Sequence, residues 1–289
     1  MNYLKDYREG EKFVGTYLCK QKQILKTKAG KTYYSLTLQD KTGTADGKIW
    51  ELNNGIANFE PMDYIHCEGM VTSFQGNLQM NISRVRISDE GEYDPADYVP
   101  CTNKDVGEMF SRILKYVASV QNKYLRKILE MYFVENKEFV DAFKKHSAAK
   151  SVHHGFMGGL LEHTLSVTDM CQYFAEHYPM IHRDLLITAA LFHDMGKIQE
   201  ISDFPMNDYT DDGQLLGHIY IGARCMENAA AQIPNFPPKL KNELVHCILA
   251  HHGKMEFGSP KVPAIMEAMA LHMADNADAK LQTLTEVFT

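Results

Sequence analysis

The sequence predicts an α+β protein of two domains, a small N-terminal β-barrel followed by an all-helical domain. Through residues 1–90 the apolar side chains alternate with polar ones in short runs, whereas from residue 104 onward they recur every three or four positions. Of the 13 histidines, only His66 precedes residue 146. A chain of 289 residues is long enough for two separate cores, and we expect imidazole chemistry in the second.

Composition excludes several classes of protein. The net charge of −7 rules out a global polycation, so any nucleic-acid site must be a local patch. No apolar run approaches the length of a membrane span, and the first twelve residues do not form a secretory signal. These two observations predict that the protein has no membrane partner. The six cysteines are scattered without a C-x-x-C pair, which predicts reduced thiols, a cytoplasmic setting and no zinc-thiolate site.

Residues 1–90 are predicted to form five strands. A polar segment of helical character, ELNNGIANF, separates the third strand from the fourth, and Gln75-Gly76-Asn77 marks a hairpin turn between the last two. This order is that of the five-stranded Greek-key barrel called the OB-fold. The five strand segments are FVGTYLC, TYYSLTLQD, TADGKIW, YIHCEGMVTSF and LQMNISRVRI.

Charge and aromatic residues in this barrel favour binding of single-stranded nucleic acid. Between Phe13 and Gln39 there are five lysines and no acidic residue, and this region forms the first hairpin of an OB-fold, a usual oligonucleotide contact. The alternative, that the lysines form a solvated hairpin tip and the aromatic rings belong to the core, stays open. The candidate nucleic-acid-binding residues are Lys20, Lys22, Lys26, Lys28, Lys31, Tyr33, Trp50 and Phe74.

Residues 91–103 are acidic and broken by Pro95 and Pro100, so we interpret them as a linker between the domains. Helical periodicity then extends over residues 104–289. No residue pattern between positions 104 and 145 indicates a catalytic or binding site.

Histidine and aspartate occur at unusual places in the apolar helices of the second domain. His163 lies on a core-facing stripe, and the adjacent pair His193-Asp194 ends the next apolar segment. Neither residue type is normally buried without a partner, and a divalent cation suits both. Hydrogen-bonded core histidines are the alternative. Further along the chain, comparable positions at the ends or on the faces of apolar helices are occupied by His218, His251, His252 and Asp275.

The order H…HD…H…HH…D, together with the segment HDMGK, resembles the HD-domain metal-dependent phosphohydrolase superfamily over residues 146–284. The resemblance implies that a first metal is held by His163, His193, Asp194 and Asp275. It also implies a second metal, bridged by Asp194 and held by His218, His251 and His252. Mixed imidazole and carboxylate ligands suit Mn²⁺, Fe or Zn²⁺ better than Mg²⁺ or Ca²⁺.

Hydrolysis through a metal-activated hydroxide follows from such a pair of ions, with Asp194 as the central catalytic carboxylate. Lys197 is predicted to offset charge developing on the phosphoryl group, its alternative being a cation at a helix C-terminus. His154, with its neighbour His153, is predicted to contact substrate phosphate or transfer a proton, the alternative being a pair in a surface loop. Asp278 is a second candidate for a supporting or proton-transfer role.

An OB barrel followed by an HD domain resembles the YhaM-type 3′-to-5′ exoribonucleases, which the segments HHGFMGGLLEHTLSV, LFHDMGK, LLGHI and LHMADNADAK also match. The resemblance implies exonuclease action on single-stranded RNA, with DNA as an alternative, and Mn²⁺ as activator. The competing hypothesis is a phosphohydrolase of nucleotides or cyclic dinucleotides with a regulatory barrel. Homo-oligomerisation is left open.

Overall fold

The computed structural model describes residues 3–150 and 154–288, without the side chains of residues 286 and 287. The chain divides into two compact units, Met1–Pro100 and Cys101–Thr289. His153, for which the sequence predicts a substrate contact, lies outside the described residues.

The first unit contains a closed five-stranded barrel in the order β1-β2-β3-β5-β4, which confirms the predicted fold. β1 pairs in antiparallel fashion with β4 along its first half and with β2 along its second half. The register with β2 shifts between Cys19 and Gln21. β3 closes the barrel by pairing in parallel with β5. The strands are β1 (Lys12–Lys26), β2 (Thr32–Asp40), β3 (Gly43–Ile49), β4 (Tyr64–Phe74) and β5 (Asn77–Ile87).

The prediction of a helical segment between β3 and β4 is wrong. Residues 51–59 are irregular, with a turn in which the Asn53 side chain accepts a hydrogen bond from the backbone N–H of Gly55 at 2.8 Å. The next residue, Ile56, forms an isolated bridge with Val85 of β5. Asparagine and glycine favour such local side-chain turns, and here that preference outweighs the apolar spacing.

A close backbone contact at Gly69 of β4 leads to a stability prediction. A Cβ atom at this position would lie 2.1 Å from the backbone oxygen of Asn81 and 2.7 Å from the Phe13 ring. Because the oxygen belongs to the paired strand and cannot turn away, Gly69→Ala is expected to lower the free energy of unfolding by about 3 kcal/mol or more. Chemical denaturation followed by circular dichroism measures this loss.

The control for that experiment is Gly30→Ala, at a hairpin turn with no atom within 4 Å of the new methyl group. Its cost is confined to a left-handed backbone angle, about 1 kcal/mol. Equal losses in the two variants would contradict the steric argument.

The acidic segment after β5 packs onto the barrel. Tyr93 stacks on Tyr64 with ring centroids 4.0 Å apart, and Tyr98 is 1% exposed. The backbone oxygen of Tyr98 accepts a hydrogen bond from the Gln39 side chain at 2.8 Å. Residues 93–98 are therefore a covering element of the first unit.

The second unit is helical, as predicted. Its core is formed mainly by α4, α5, α7, α8 and α9, which bring together the apolar faces that the sequence marks. The helices are α1 (Val106–Ser119), α2 (Lys123–Glu130), α3 (Lys137–Lys145), α4 (Gly159–His177), α5 (Arg183–Phe192), α6 (Lys197–Glu200), α7 (Asp211–Ala231), α8 (Pro238–Ala250) and α9 (Met266–Phe288).

Within the described part of the chain, no helix combines the length and the apolar character needed to cross a membrane. The cytoplasmic setting inferred from the cysteine spacing stays a prediction.

Candidate metal centre

The seven residues that the sequence marks as metal ligands converge in the second unit. His163 lies within α4 and Asp275 within α9, whereas the other five lie on α7 or follow the ends of α5 and α8. His193 and His251 are fully buried, and Asp194 is 2% exposed. Polar side chains on, or directly after, five separate helices therefore meet at one place within an apolar core.

Three of these side chains form a first group around His163. Its Nε2 atom lies 3.1 Å from Nε2 of His193 and 3.2 Å from Oδ1 of Asp275. These atoms are close enough together to ligate one metal ion. Oδ2 of Asp194 lies 3.3 Å from the same Nε2 of His163.

A second group consists of His218, His251 and His252, which could also hold one ion. Oδ1 of Asp194 lies 3.5 Å from Nε2 of His218 and 3.6 Å from Nε2 of His251. The two oxygens of Asp194 thus face the two groups separately, and this is the arrangement that a bridging carboxylate requires.

The orientation of the five imidazoles follows from their other ring nitrogen. In each ring Nδ1 faces an oxygen that can only accept a hydrogen bond, so Nδ1 carries the proton and Nε2 presents a lone pair to the centre. The acceptors are Asp278 for His163 at 2.7 Å, Ala190 O for His193 at 2.7 Å, Glu200 for His218 at 2.9 Å, Ile248 O for His251 at 2.6 Å and Phe257 O for His252 at 2.8 Å.

The centre also contains buried polar atoms without a hydrogen-bond partner among the described residues. They are Oδ1 of Asp194 and the Nε2 atoms of His218 and His251. Buried polar atoms are normally paired, so this cluster is explained by a cation that accepts their lone pairs. The donor set of imidazole and carboxylate fits Mn²⁺, Fe or Zn²⁺.

Electrostatics keep the carboxylates ionised. Burial opposes ionisation of Asp194, but Lys197 and the neighbouring histidines outweigh it and hold the pKa of Asp194 well below its ordinary value. The same competition, dominated by His163, lowers the pKa of Asp275. Burial likewise opposes protonation of His163, yet the surrounding carboxylates raise its pKa well above normal, so a proton and a metal cation compete for its Nε2 atom. The centre attracts positive charge strongly.

Lys197 begins the four-residue helix α6. Its ammonium lies 2.7 Å from Oδ2 of Asp194. Burial would lower the pKa of Lys197, but Asp194 reverses the effect and raises it, so the side chain remains charged beside the cluster.

His154 is placed differently from the prediction of a substrate contact. The residue is 2% exposed, and its Nε2 donates to Oδ2 of Asp278 at 3.0 Å, the oxygen that also accepts from His163. Ser166 donates to the other oxygen of Asp278. His154 is not among the described residues that line the adjoining cavity. It therefore supports His163 through Asp278.

Glu200 is a functional candidate that sequence reasoning missed. Its carboxylate is buried and accepts hydrogen bonds from both the backbone N–H and Nδ1 of His218, each at 2.9 Å. The only sequence feature that could have indicated Glu200 is the presence of an acidic residue three positions after the HDMGK segment. Nothing in the sequence pairs it with a histidine 18 residues away.

A cavity of about 460 Å³ adjoins the ligand groups. Its volume lies within the range of about 300–1,000 Å³ that is usual for small-molecule sites. The described lining residues are Ala148, His163, Lys197, His252, Phe257, His272, Asp275, Asn276 and Ala279.

In the barrel, the candidate nucleic-acid residues are mostly at the surface. Tyr33 stacks on Trp50 with ring centroids 4.6 Å apart, while Trp50 and Phe74 are 40% and 62% exposed. Lys31 pairs with Glu51 at 3.2 Å. The other exposed lysines of the predicted patch are Lys20, Lys26 and Lys28.

The position of Lys22 contradicts the prediction that this residue contacts nucleic acid. Its ammonium donates to the backbone oxygen of Phe59 at 2.5 Å and lies over the rings of Phe59 and Tyr34. Only 8% of the side chain is exposed. The Lys22 side chain therefore packs against the barrel, where the Phe59 carbonyl and the two aromatic rings stabilise its charge.

The fold and the site together define an HD-domain metal-dependent phosphohydrolase, and residues 160–280 match the HD domain family. Its divalent-metal dependence follows from this domain. The similar proteins include the 3′-5′ exoribonuclease YhaM of a Geobacillus species, 32% identical over 88% of this chain and 78% of that protein.

Two further relatives carry the same name. That of Bacillus subtilis is 32% identical over 88% of this chain and 81% of its own length. That of Shouchella clausii is 32% identical over 97% of this chain and 88% of its own. The chain belongs to the YhaM family of 3′-5′ exoribonucleases.

Proposed function

We propose that the protein is a 3′-to-5′ exonuclease that hydrolyses phosphodiester bonds of single-stranded RNA. The observation that carries the proposal is the placement of Asp194, whose two oxygens face two separate groups of ligand nitrogens. The named activity of the relatives supports the same reaction. DNA is the alternative polymer, and the test below includes it.

The proposed ligands divide into two sets. His163, His193, Asp194 and Asp275 would hold one divalent ion, and His218, His251 and His252 would hold a second, with Asp194 contributing to both. Mn²⁺ is the proposed activator. Divalent ions supply the charge that polarises a phosphodiester and activates water for attack on phosphorus.

The protein's own groups prepare the site for this chemistry. Asp278 and Glu200 fix the rings of His163 and His218 by accepting their Nδ1 protons. Lys197 keeps a positive charge at the wall of the cavity, where it can offset negative charge on a phosphoryl group. Burial of the ligands lowers the local dielectric and strengthens each of these interactions.

We assign strand binding to the barrel within residues 1–90 and hydrolysis to the helical domain within residues 104–289. The exposed lysines of β1 and its following turn supply charge, and Trp50 and Phe74 supply faces on which bases stack.

The proposal is tested with purified protein and single-stranded oligonucleotides labelled at either end, as RNA and as DNA, with Mn²⁺ or with EDTA. With Mn²⁺, 5′-labelled RNA is expected to shorten in single-nucleotide steps, whereas 3′-labelled RNA releases its label at once. EDTA is expected to stop both. Hydrolysis confined to mononucleotides or cyclic dinucleotides would overturn the proposal.

The role of the barrel leads to a prediction about Lys20, Lys26 and Lys28. Changing all three to glutamine is expected to weaken binding of single-stranded RNA roughly tenfold at moderate salt, because each lysine neutralises a phosphate and releases counterions. The slope of log affinity against log salt concentration is expected to become shallower by about 2, or about 0.7 per lysine. Fluorescence anisotropy of a labelled oligonucleotide measures both.

A charge-matched control replaces three exposed lysines of the helical unit, Lys115, Lys123 and Lys239, with glutamine. It makes the same change in net charge outside the barrel. An equal loss of affinity in the two triple variants would show that only overall charge matters.

A further inference from the structure

An exposed aromatic ring stands at the edge of the cavity beside the ligand groups. Phe257 lines this cavity, yet 56% of the residue remains exposed. Among the lining residues that the structure describes, it is the only large apolar side chain, because the others are polar or alanine. The Lys254 ammonium lies 5.4 Å from the centroid of the ring, and the exposed part of the ring is accessible to a ligand in the cavity.

The backbone of Phe257 is tied directly to the proposed metal ligands. It ends a short 3₁₀ turn, Met255–Phe257, and its carbonyl oxygen accepts the Nδ1 proton of His252 at 2.8 Å. The backbone N–H of Phe257 donates to Lys254 O at 3.1 Å, and Ser259 donates to Leu249 O in α8 at 2.9 Å. These bonds hold the turn, and therefore the base of the ring, in a defined position relative to His252.

The cavity thus offers two kinds of surface. Its lining includes charged and imidazole groups, represented by Lys197, Asp275 and His252, as well as the apolar ring of Phe257. A terminal nucleotide has the same division, since its phosphate needs positive charge and its base has a flat apolar face. Stacking on an aromatic ring accepts any base, and this suits an enzyme that removes nucleotides in succession.

We propose that Phe257 is the stacking platform for the base of the 3′-terminal nucleotide. This inference rests on the proposed exonuclease function and identifies the residue that recognises the terminal base within the same site. The ring positions the substrate, and the carbonyl of the same residue orients the ligand His252. The same 3₁₀ turn would therefore both bind the base and orient the proposed metal ligand.

The test compares two RNA oligonucleotides that differ only in whether the 3′-terminal nucleotide carries a base. Wild-type protein with Mn²⁺ is expected to hydrolyse the intact terminus with kcat/KM about five- to a hundredfold higher than the abasic one. In Phe257→Ala this ratio is expected to fall close to one. Phe257→Trp retains an aromatic face and is expected to keep the preference.

Met255→Ala is the matched control, because Met255 is 74% exposed in the same turn and is not among the described lining residues. Phe257→Leu keeps an apolar side chain without a flat face, so it carries the test if the alanine variant does not fold. The inference is overturned if the leucine or alanine variant keeps the full preference for the base, or if Met255→Ala loses it equally. Absence of any oligonucleotide hydrolysis by the wild-type protein would instead overturn the proposed function itself.

Discussion

Replacing Asp194 with alanine is expected to reduce oligonucleotide hydrolysis by more than about a hundredfold, beyond the range seen when a residue merely supports a ligand. The reason is its position between the two ligand groups, with Oδ2 facing His163 and Oδ1 facing His218 and His251. Removal of one carboxylate would therefore weaken both proposed metal positions. Stopped assays with end-labelled RNA measure the rate, and elemental analysis measures the metal content.

The experiment needs a control for folding. Loss of Asp194 leaves the ammonium of Lys197 without its buried partner, which itself destabilises the protein. Thermal unfolding of Asp194→Ala and of the near-isosteric Asp194→Asn shows whether each variant is folded at the assay temperature, so that only folded variants are compared in activity and metal content. Asp212→Asn removes an exposed carboxylate at the start of α7 and is expected to change neither property. Unchanged hydrolysis in Asp194→Ala would exclude this centre as the source of the activity.

The barrel could be predicted because apolar residues alternate with polar ones clearly enough, in strands such as β2, to define an inner face. Leu36 and Leu38, two residues apart on β2, are both buried. The error at residues 51–59 arose where apolar spacing and turn chemistry disagree, since Asn53 and Gly55 bend the chain locally. The covering role of Tyr93 and Tyr98 was hidden because acidic residues and prolines surround them in the sequence.

The cluster of polar side chains in the candidate metal centre could be expected for a related reason. His193 and Asp194 end an apolar helix, and a polar pair in that position needs a partner whichever way the helices pack. What the sequence does not show is the orientation of a side chain whose partners lie far away along the chain. His154 has a left-handed backbone that directs its ring to Asp278, and Lys22 folds back onto Phe59. Both depend on contacts between residues far apart in the chain.

Glu200→Ala is expected to lower the affinity for the activating metal by about 10- to 100-fold, without removing any proposed ligand. The buried carboxylate accepts two hydrogen bonds from His218, so its loss frees the ring to rotate and to exchange tautomers. Titration of activity with Mn²⁺ measures the shift in half-saturation. Both hydrogen bonds go to Oε1, so Glu200→Gln can keep them through its amide oxygen but loses the negative charge, and it is expected to lie between the alanine variant and the wild type.

Glu267→Ala provides the comparison, since Glu267 is also buried and accepts a backbone hydrogen bond, from His182 at 2.6 Å, without contact to a proposed ligand. It is expected to lose stability but to keep the half-saturating Mn²⁺ concentration. The decisive difference is rescue: excess Mn²⁺ should restore hydrolysis in Glu200→Ala, because its ligands remain, but not in Asp194→Ala. Failure of excess metal to restore the Glu200 variant would mean that this carboxylate does more than hold His218.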